Sequence, residues 1–172
     1  LPVCYIVNNT FKISVIAKNA SNQDKWKSDD YLESWCVLGR KDYIVFRNFM
    51  KTYDTNFTVT LVLFNGRFTG GLYRDFAEGK FSAKHHKRAI KWIEMVQDFK
   101  SYIQDIHKDR HFVRAILNCF GHPEYNHKRM LRKMKLQGSS MIEKQMNRLD
   151  YIRQIESLYN WHEHESNQVR FF

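Results

Sequence analysis

The chain has 172 residues, with 28 Lys and Arg against 18 Asp and Glu, so it carries a net charge of +10 and a pI of about 9.6. Its 43% apolar and 15% aromatic residues can build a core, while only 7 Gly and 2 Pro leave too little turn chemistry for an all-β sandwich; disordered, collagenous and mucin-like classes are excluded. No apolar run approaches the roughly 20 residues of a membrane-spanning helix, and the longest, 57–64, is interrupted by Thr58 and Thr60. Cys4, Cys36 and Cys119 are odd in number and widely spaced, which argues against a disulfide framework and for a reducing cytoplasm. The chain opens on Leu1-Pro2 with no charged region ahead of an apolar one, so it reads as a piece of a longer protein and not as a signal peptide.

Taken in order, Cys4-Tyr5-Ile6-Val7 is a short β-rich run ended by Asn8-Asn9, and it suits the last strand of a larger unit. Phe11, Ile13, Val15 and Ile16 fit either a second strand or a short helix capped by Thr10. Ser28 reads as an N-cap, with Asp29 and Asp30 in the first turn and Tyr31, Leu32, Trp35 and Leu38 at helical spacing up to Gly39. Asp42 opens a second helix carrying Tyr43, Val45, Phe46, Phe49, Met50 and Tyr53. The next run, from Phe57 to Phe64 with Asn65-Gly66 after it, looks like a hairpin strand by local propensity. Gly70-Gly71 breaks the chain, and two short turns from Leu72 to Glu78 stop at Gly79. Ser82 then caps the longest helical pattern, whose apolar residues run from Ala89 to Ile106. Phe112, Val113, Ile116, Leu117 and Phe120 make a helix ended by Gly121; Pro123 suits the first position of another, with Met130, Leu131 and Met134. Gly138-Ser139-Ser140 separates it from a last helix over Leu149, Ile152, Ile155, Leu158 and Tyr159.

Eight histidines invite a metal site. Cys119, His122 and His127, and the pair His162 and His164, have the right ligand types but no C-x2-C or H-E-x-x-H partner, so neither a metal nor any other cofactor is expected. Phosphate-loop, dinucleotide and nucleophile-elbow motifs are absent, which leaves no catalytic motif in the chain. The basic residues carry more signal. They cluster at Lys84, Lys87, Arg88 and Lys91, at a helix start where the dipole favours negative charge, and again at Lys128, Arg129, Arg132, Lys133 and Lys135. Aromatic residues sit in the apolar stripes and do not alternate with the cations, which favours duplex DNA over a single strand.

Several segments resemble the ParB-like (ParB/sulfiredoxin-fold) proteins of bacteriophages and mobile elements. They are Leu1-Pro-Val-Cys-Tyr-Ile-Val, Asn19 with Trp26, Asp30-Tyr-Leu, Gly39-x-x-Asp-Tyr, Phe112-Val-x-Ala115, the run from Tyr125 to Lys133, and Ile155-x-x-Leu-Tyr-Asn160. The family's Asp-Gly-Gln-His-Arg-type motif is missing, so the resemblance implies no nuclease or nucleotide-hydrolysing activity for the residues present. It implies a mainly α multi-helix bundle: a strand remnant at 1–9, a helical domain at 10–120 and a C-terminal helical extension at 121–172. It also implies a helix-turn-helix, with its first helix at 42–53, its turn at 54–56 and its second helix at 57–65, offering Thr58, Thr60 and Asn65 to bases. Phosphate contacts would come from Arg47, Lys51, Arg67, Arg74, Lys84, Lys87 and Arg88, with Lys128, Arg129 and Arg132 as a second basic face. The expectation is a cytoplasmic, bacterial or phage DNA-binding protein without a membrane partner. The alternatives are a module that forms homodimers through the apolar helix from Leu149 to Tyr159, the specificity arm of a ParB-like nuclease, and an RNA-binding protein.

Overall fold

The computed structural model describes residues 26–67, 69–137 and 142–171. Their regular structure is all helical: α1 (Ser28–Val37), α2 (Lys41–Tyr53), α3 (Phe57–Asn65), α4 (Gly70–Ala77), α5 (His86–Gln97), the single turn α6 (Lys100–Ile103), α7 (Arg110–Phe120), α8 (His127–Gln137) and α9 (Arg148–Asn160). Short 3-10 turns occupy Gln104–Lys108 and Glu165–Asn167. The expected strand at 4–7, the ambiguous 10–18 region and the Gly138-Ser139-Ser140 separator lie outside the described residues.

In 57–65 the β propensity of the side chains and their burial point to different structures, and burial prevails. Asn56 caps α3 by accepting from the Val59 N–H at 2.9 Å, and Gly66 closes it at φ 72°, a left-handed conformation that favours glycine. Seven of the nine residues between those stops are buried, because α2, α5 and α7 all pack on this helix. A helix apolar on every side belongs at the centre of a bundle. The preceding turn is also fixed: Asp54, at φ 49°, pairs with Lys108 at 2.7 Å, and the Asn56 amide donates to the Lys108 carbonyl at 2.8 Å.

α1, α2 and α4 close one side of α3 around an aromatic cluster. The Phe46 ring centroid lies 4.9 to 5.7 Å from those of Phe76, Phe81, Phe57 and Phe64. Tyr43 links the cluster to the backbone: its hydroxyl donates to the Phe76 carbonyl at 2.8 Å and accepts from the Phe81 N–H at 3.1 Å. Burial pushes that hydroxyl up to about 12. Tyr43→Phe leaves a buried carbonyl and a buried N–H without this partner, and is expected to cost about 1–3 kcal/mol in urea denaturation while keeping the helical circular dichroism. A loss indistinguishable from zero would contradict this bonding.

Several expected boundaries move. Ser28 is the first helical residue of α1 and not its cap; Lys27 precedes it, with its own N–H donating to the Asp30 carboxylate at 2.7 Å. Gly70 and Gly71 form the first turn of α4, where Thr69 caps the Leu72 N–H. Ser82 does not start α5, because the chain before it is tied to α2 through the Phe81 N–H and through the Ala83 N–H, which donates to Asp42 at 3.1 Å. The long helix stops at Gln97; a tight turn at Asp98 and Phe99 buries the Phe99 ring and leads into α6. Pro123 lies in the turn before α8, and Asn126 supplies the cap instead. Among the described residues the buried side chains from Leu32 to Phe171 form one continuous core. α9 lies along α7 and α8, burying Tyr151, Ile152, Ile155, Leu158 and Tyr159.

Candidate nucleic-acid interface

The expected phosphate-binding residues separate into free and engaged groups. Lys51, Arg67, Arg74, Lys84, Lys87, Lys128 and Arg132 are exposed and form no ion pair among the described residues. α5 has no acidic residue in its first turn and no side-chain cap, so Lys84 and Lys87 add positive charge to an already positive helix end. Lys91, four residues after Lys87, is exposed as well and extends the same stripe.

The others are engaged in the fold. Thr60 is fully buried, with its hydroxyl shared between the Asn56 carbonyl and Thr55, and it cannot meet a base. Thr58 is partly exposed, and the Asn65 amide donates to the Leu61 carbonyl. Helices α2 and α3 are joined by the three-residue turn at 54–56, and α3 leaves only Thr58 and Asn65 partly exposed. Arg47 pairs with Glu33 at 2.8 Å. Arg88 donates to the Phe64 carbonyl at 3.3 Å and lies over the Trp92 ring at 4.6 Å, bracing α3 against α5. Arg129 covers the Tyr159 ring at 4.2 Å and donates to the Tyr159 and Asn167 carbonyls, both at 3.3 Å, so it holds α8 to α9 and the tail. Two of the basic residues thus stack on aromatic rings, which their positions in the sequence did not suggest.

Lys133 is nearly buried; it donates to the Trp161 carbonyl and pairs with Glu163 at 2.6 Å. That hydrogen bond, with the nearby Arg129 and Arg132, holds the Glu163 carboxyl below the ordinary range. A carboxylate whose folded pKa is depressed stabilises above its unfolded pKa and loses that contribution as pH falls through the folded one. Glu163→Gln is therefore expected to melt below the parent chain at pH 7, with the gap closing below about pH 4. Melting curves across that range check it, and a gap that stays constant would exclude the ion pair as its source.

The expected Arg67 joins residues absent from the expectation, among them Trp92, Arg114 and Arg148, around a cleft of about 570 Å³. Arg67 follows the glycine stop of α3, Trp92 comes from α5, Arg114 from α7 and Arg148 from the start of α9. Asn118 and Gly121 follow Arg114 on one face of α7, and Phe171 of the tail closes the rim. The tail is pinned there, since the Asn118 amide donates to the Phe171 carbonyl at 2.7 Å and the Phe171 N–H donates to Glu156 at 2.9 Å. No Asp or Glu lines the cleft, and Arg67, Arg114 and Arg148 have no ion pair among the described residues. Burial and the positive charges of Arg148 and Arg110 push the Arg114 pKa down. The cleft continues the basic start of α5 through Arg88 and Trp92.

Elsewhere the chain's polar residues serve its own packing. His127 bonds Asp98 at 3.0 Å and Tyr125 at 3.1 Å, and Cys36 and Cys119 are buried thiols whose pKa values burial raises. Among the described residues no three His, Cys, Asp or Glu side chains gather to hold a metal. In α9, Tyr151, Ile152, Ile155, Leu158 and Tyr159 are buried in the chain's own core, while Leu149 is exposed. No described helix is long and apolar enough to cross a membrane. No family model, curated protein or solved structure matches this chain.

Proposed function

We propose that the chain is a DNA-binding protein that holds duplex DNA by its phosphates, across the lysine stripe of α5 and the arginine cleft beside it. One observation carries this reading: Arg67, Arg114 and Arg148 converge on a cleft whose lining, among the described residues, includes no carboxylate. Cations gathered without counter-charges repel one another; at Arg114 burial lowers the pKa first, and the positive charges of Arg148 and Arg110 add to it. An arrangement that costs the free protein stability is accounted for by an anionic partner, and guanidinium forks match phosphate oxygens. The net charge of +10 and the unpaired Lys84, Lys87 and Lys91 extend the same field toward a polyanion. Among the described residues the large exposed apolar side chains are Val37, Leu38, Leu136, Met146 and Leu149, with no aromatic among them, which suits a double strand gripped by its backbone better than a single strand stacked base by base. The resemblance to ParB-like proteins points to the same partner, with contacts from exposed helix faces in place of the enclosed α3. The test is fluorescence anisotropy of a labelled mixed-sequence duplex at roughly 50 and 200 mM salt, where affinity is expected to fall steeply. Absence of binding at the lower salt would refute the proposal.

A further inference from the structure

The cleft is larger and more strongly charged than a single backbone phosphate requires. A phosphodiester within a duplex carries a single negative charge, whereas a phosphomonoester carries about −1.5 to −2 at neutral pH, a better match for three guanidinium groups. The space of about 570 Å³ falls within the range of small-molecule sites and far exceeds one phosphate group. Beyond the arginines, the lining combines the aromatic rings of Trp92 and Phe171 and the apolar Leu117 and Pro123 with the polar Asn118 and His122. His122 adds a hydrogen-bond donor, because its Nδ1 accepts the Glu124 N–H at 3.3 Å and so leaves the ring proton on Nε2.

We infer that this cleft binds a nucleoside 5′-phosphomonoester, with Arg67, Arg114 and Arg148 on the phosphate and the nucleoside against Trp92. The inference rests on the reading of the cleft as a phosphate site, and narrows it from backbone contact to the end of a strand or a free mononucleotide. Either source presents the same chemistry: a dianionic phosphate joined to a sugar and a flat base.

The test titrates the full chain with two hairpin duplexes that differ only in a 5′-phosphate or a 5′-hydroxyl, and separately with thymidine 5′-monophosphate and thymidine by calorimetry. The expected result is about tenfold or greater preference for the phosphorylated member of at least one pair. Arg114→Gln should abolish that preference. Arg67→Gln, at an exposed position whose change does not threaten folding, should reduce it as well. A preference in the duplex pair alone assigns the cleft to strand ends, in the small-molecule pair alone to free nucleotides, and in both pairs to either source. Equal affinity within both pairs overturns the inference, and so does a preference that survives both substitutions. If both duplexes bind equally, DNA binding stands and the end-binding cleft falls. If neither duplex binds but the monophosphate is still preferred over thymidine, the DNA reading falls and the cleft stands.

Discussion

Replacing Lys84, Lys87 and Lys91 together by glutamine is expected to weaken binding to a mixed-sequence duplex by roughly a hundredfold at low salt, at about 1 kcal/mol for each phosphate no longer held by an ammonium group. The same variant should flatten the dependence of log affinity on log salt by about 3, one for each of those phosphates. These lysines suit the experiment because each is exposed and none is engaged in the fold. Arg88, in the same stretch, does not suit it. Its hydrogen bond to Phe64 and its stacking on Trp92 mean that its removal would disturb the packing of α3 on α5 along with any grip on DNA. Glutamine at Arg129 should behave in the opposite way to the lysine triple, lowering the melting temperature more than the DNA affinity, because that guanidinium is spent on Tyr159 and the tail. A triple variant that binds as tightly as the parent, with an unchanged salt slope, would remove the α5 stripe from the interface.

Phe46→Ala is expected to destabilise the chain by about 4 kcal/mol, the upper part of the range for large-to-small changes in a core. The position is fully buried and four aromatic rings converge on it, so neighbouring rings cannot collapse into the space without giving up their own tilted and edge-on arrangements. A loss of that size is a large share of the roughly 5–15 kcal/mol that holds a domain together, and should lower the melting temperature by about 10 °C. Phe46→Leu, which keeps most of the volume, should lose much less. Urea denaturation of the three proteins checks the order, and a near-neutral alanine variant would mean that α1, α2 and α4 do not close over α3 as described.

What was legible in the sequence follows from the range of the forces involved. α2, α7 and α9 show themselves because their apolar residues recur every three or four positions, a local signal. α3 does not, since β-branched side chains and a trailing Asn-Gly have the same local look in a hairpin strand; its helicity depends on packing against α2, its neighbour in the chain, and against the more distant α5 and α7. The caps expected at Ser28 and Ser82 failed for a related reason. The chain before α5 bonds to Tyr43 and Asp42, about forty positions earlier, and no local rule anticipates that. In α8, Lys133 and Arg129 read as members of one basic run with Lys128 and Arg132. The buried Met130 lies three residues before Lys133, however, and that spacing was the available sign that it faces inward. Arg114, Asn118 and Gly121 share a face by spacing alone, but nothing in the sequence brings Arg67 and Arg148 to that face; only the packing of α3 and α9 on α7 does so.

The placement of α3 bears on how the chain behaves when it is not folded. The run from Phe57 to Phe64 holds no charge and no proline, and is rich in residues that favour extended pairing, which is the composition of a segment that stacks into cross-β fibrils once exposed. As a helix it is enclosed by α2, α5 and α7, so aggregation is expected where it is exposed, during synthesis or after heating. The flanking Lys51, Arg67 and Arg74 then act as charged gatekeepers of that passage, repelling like chains while the stickiest stretch of the protein is still uncovered.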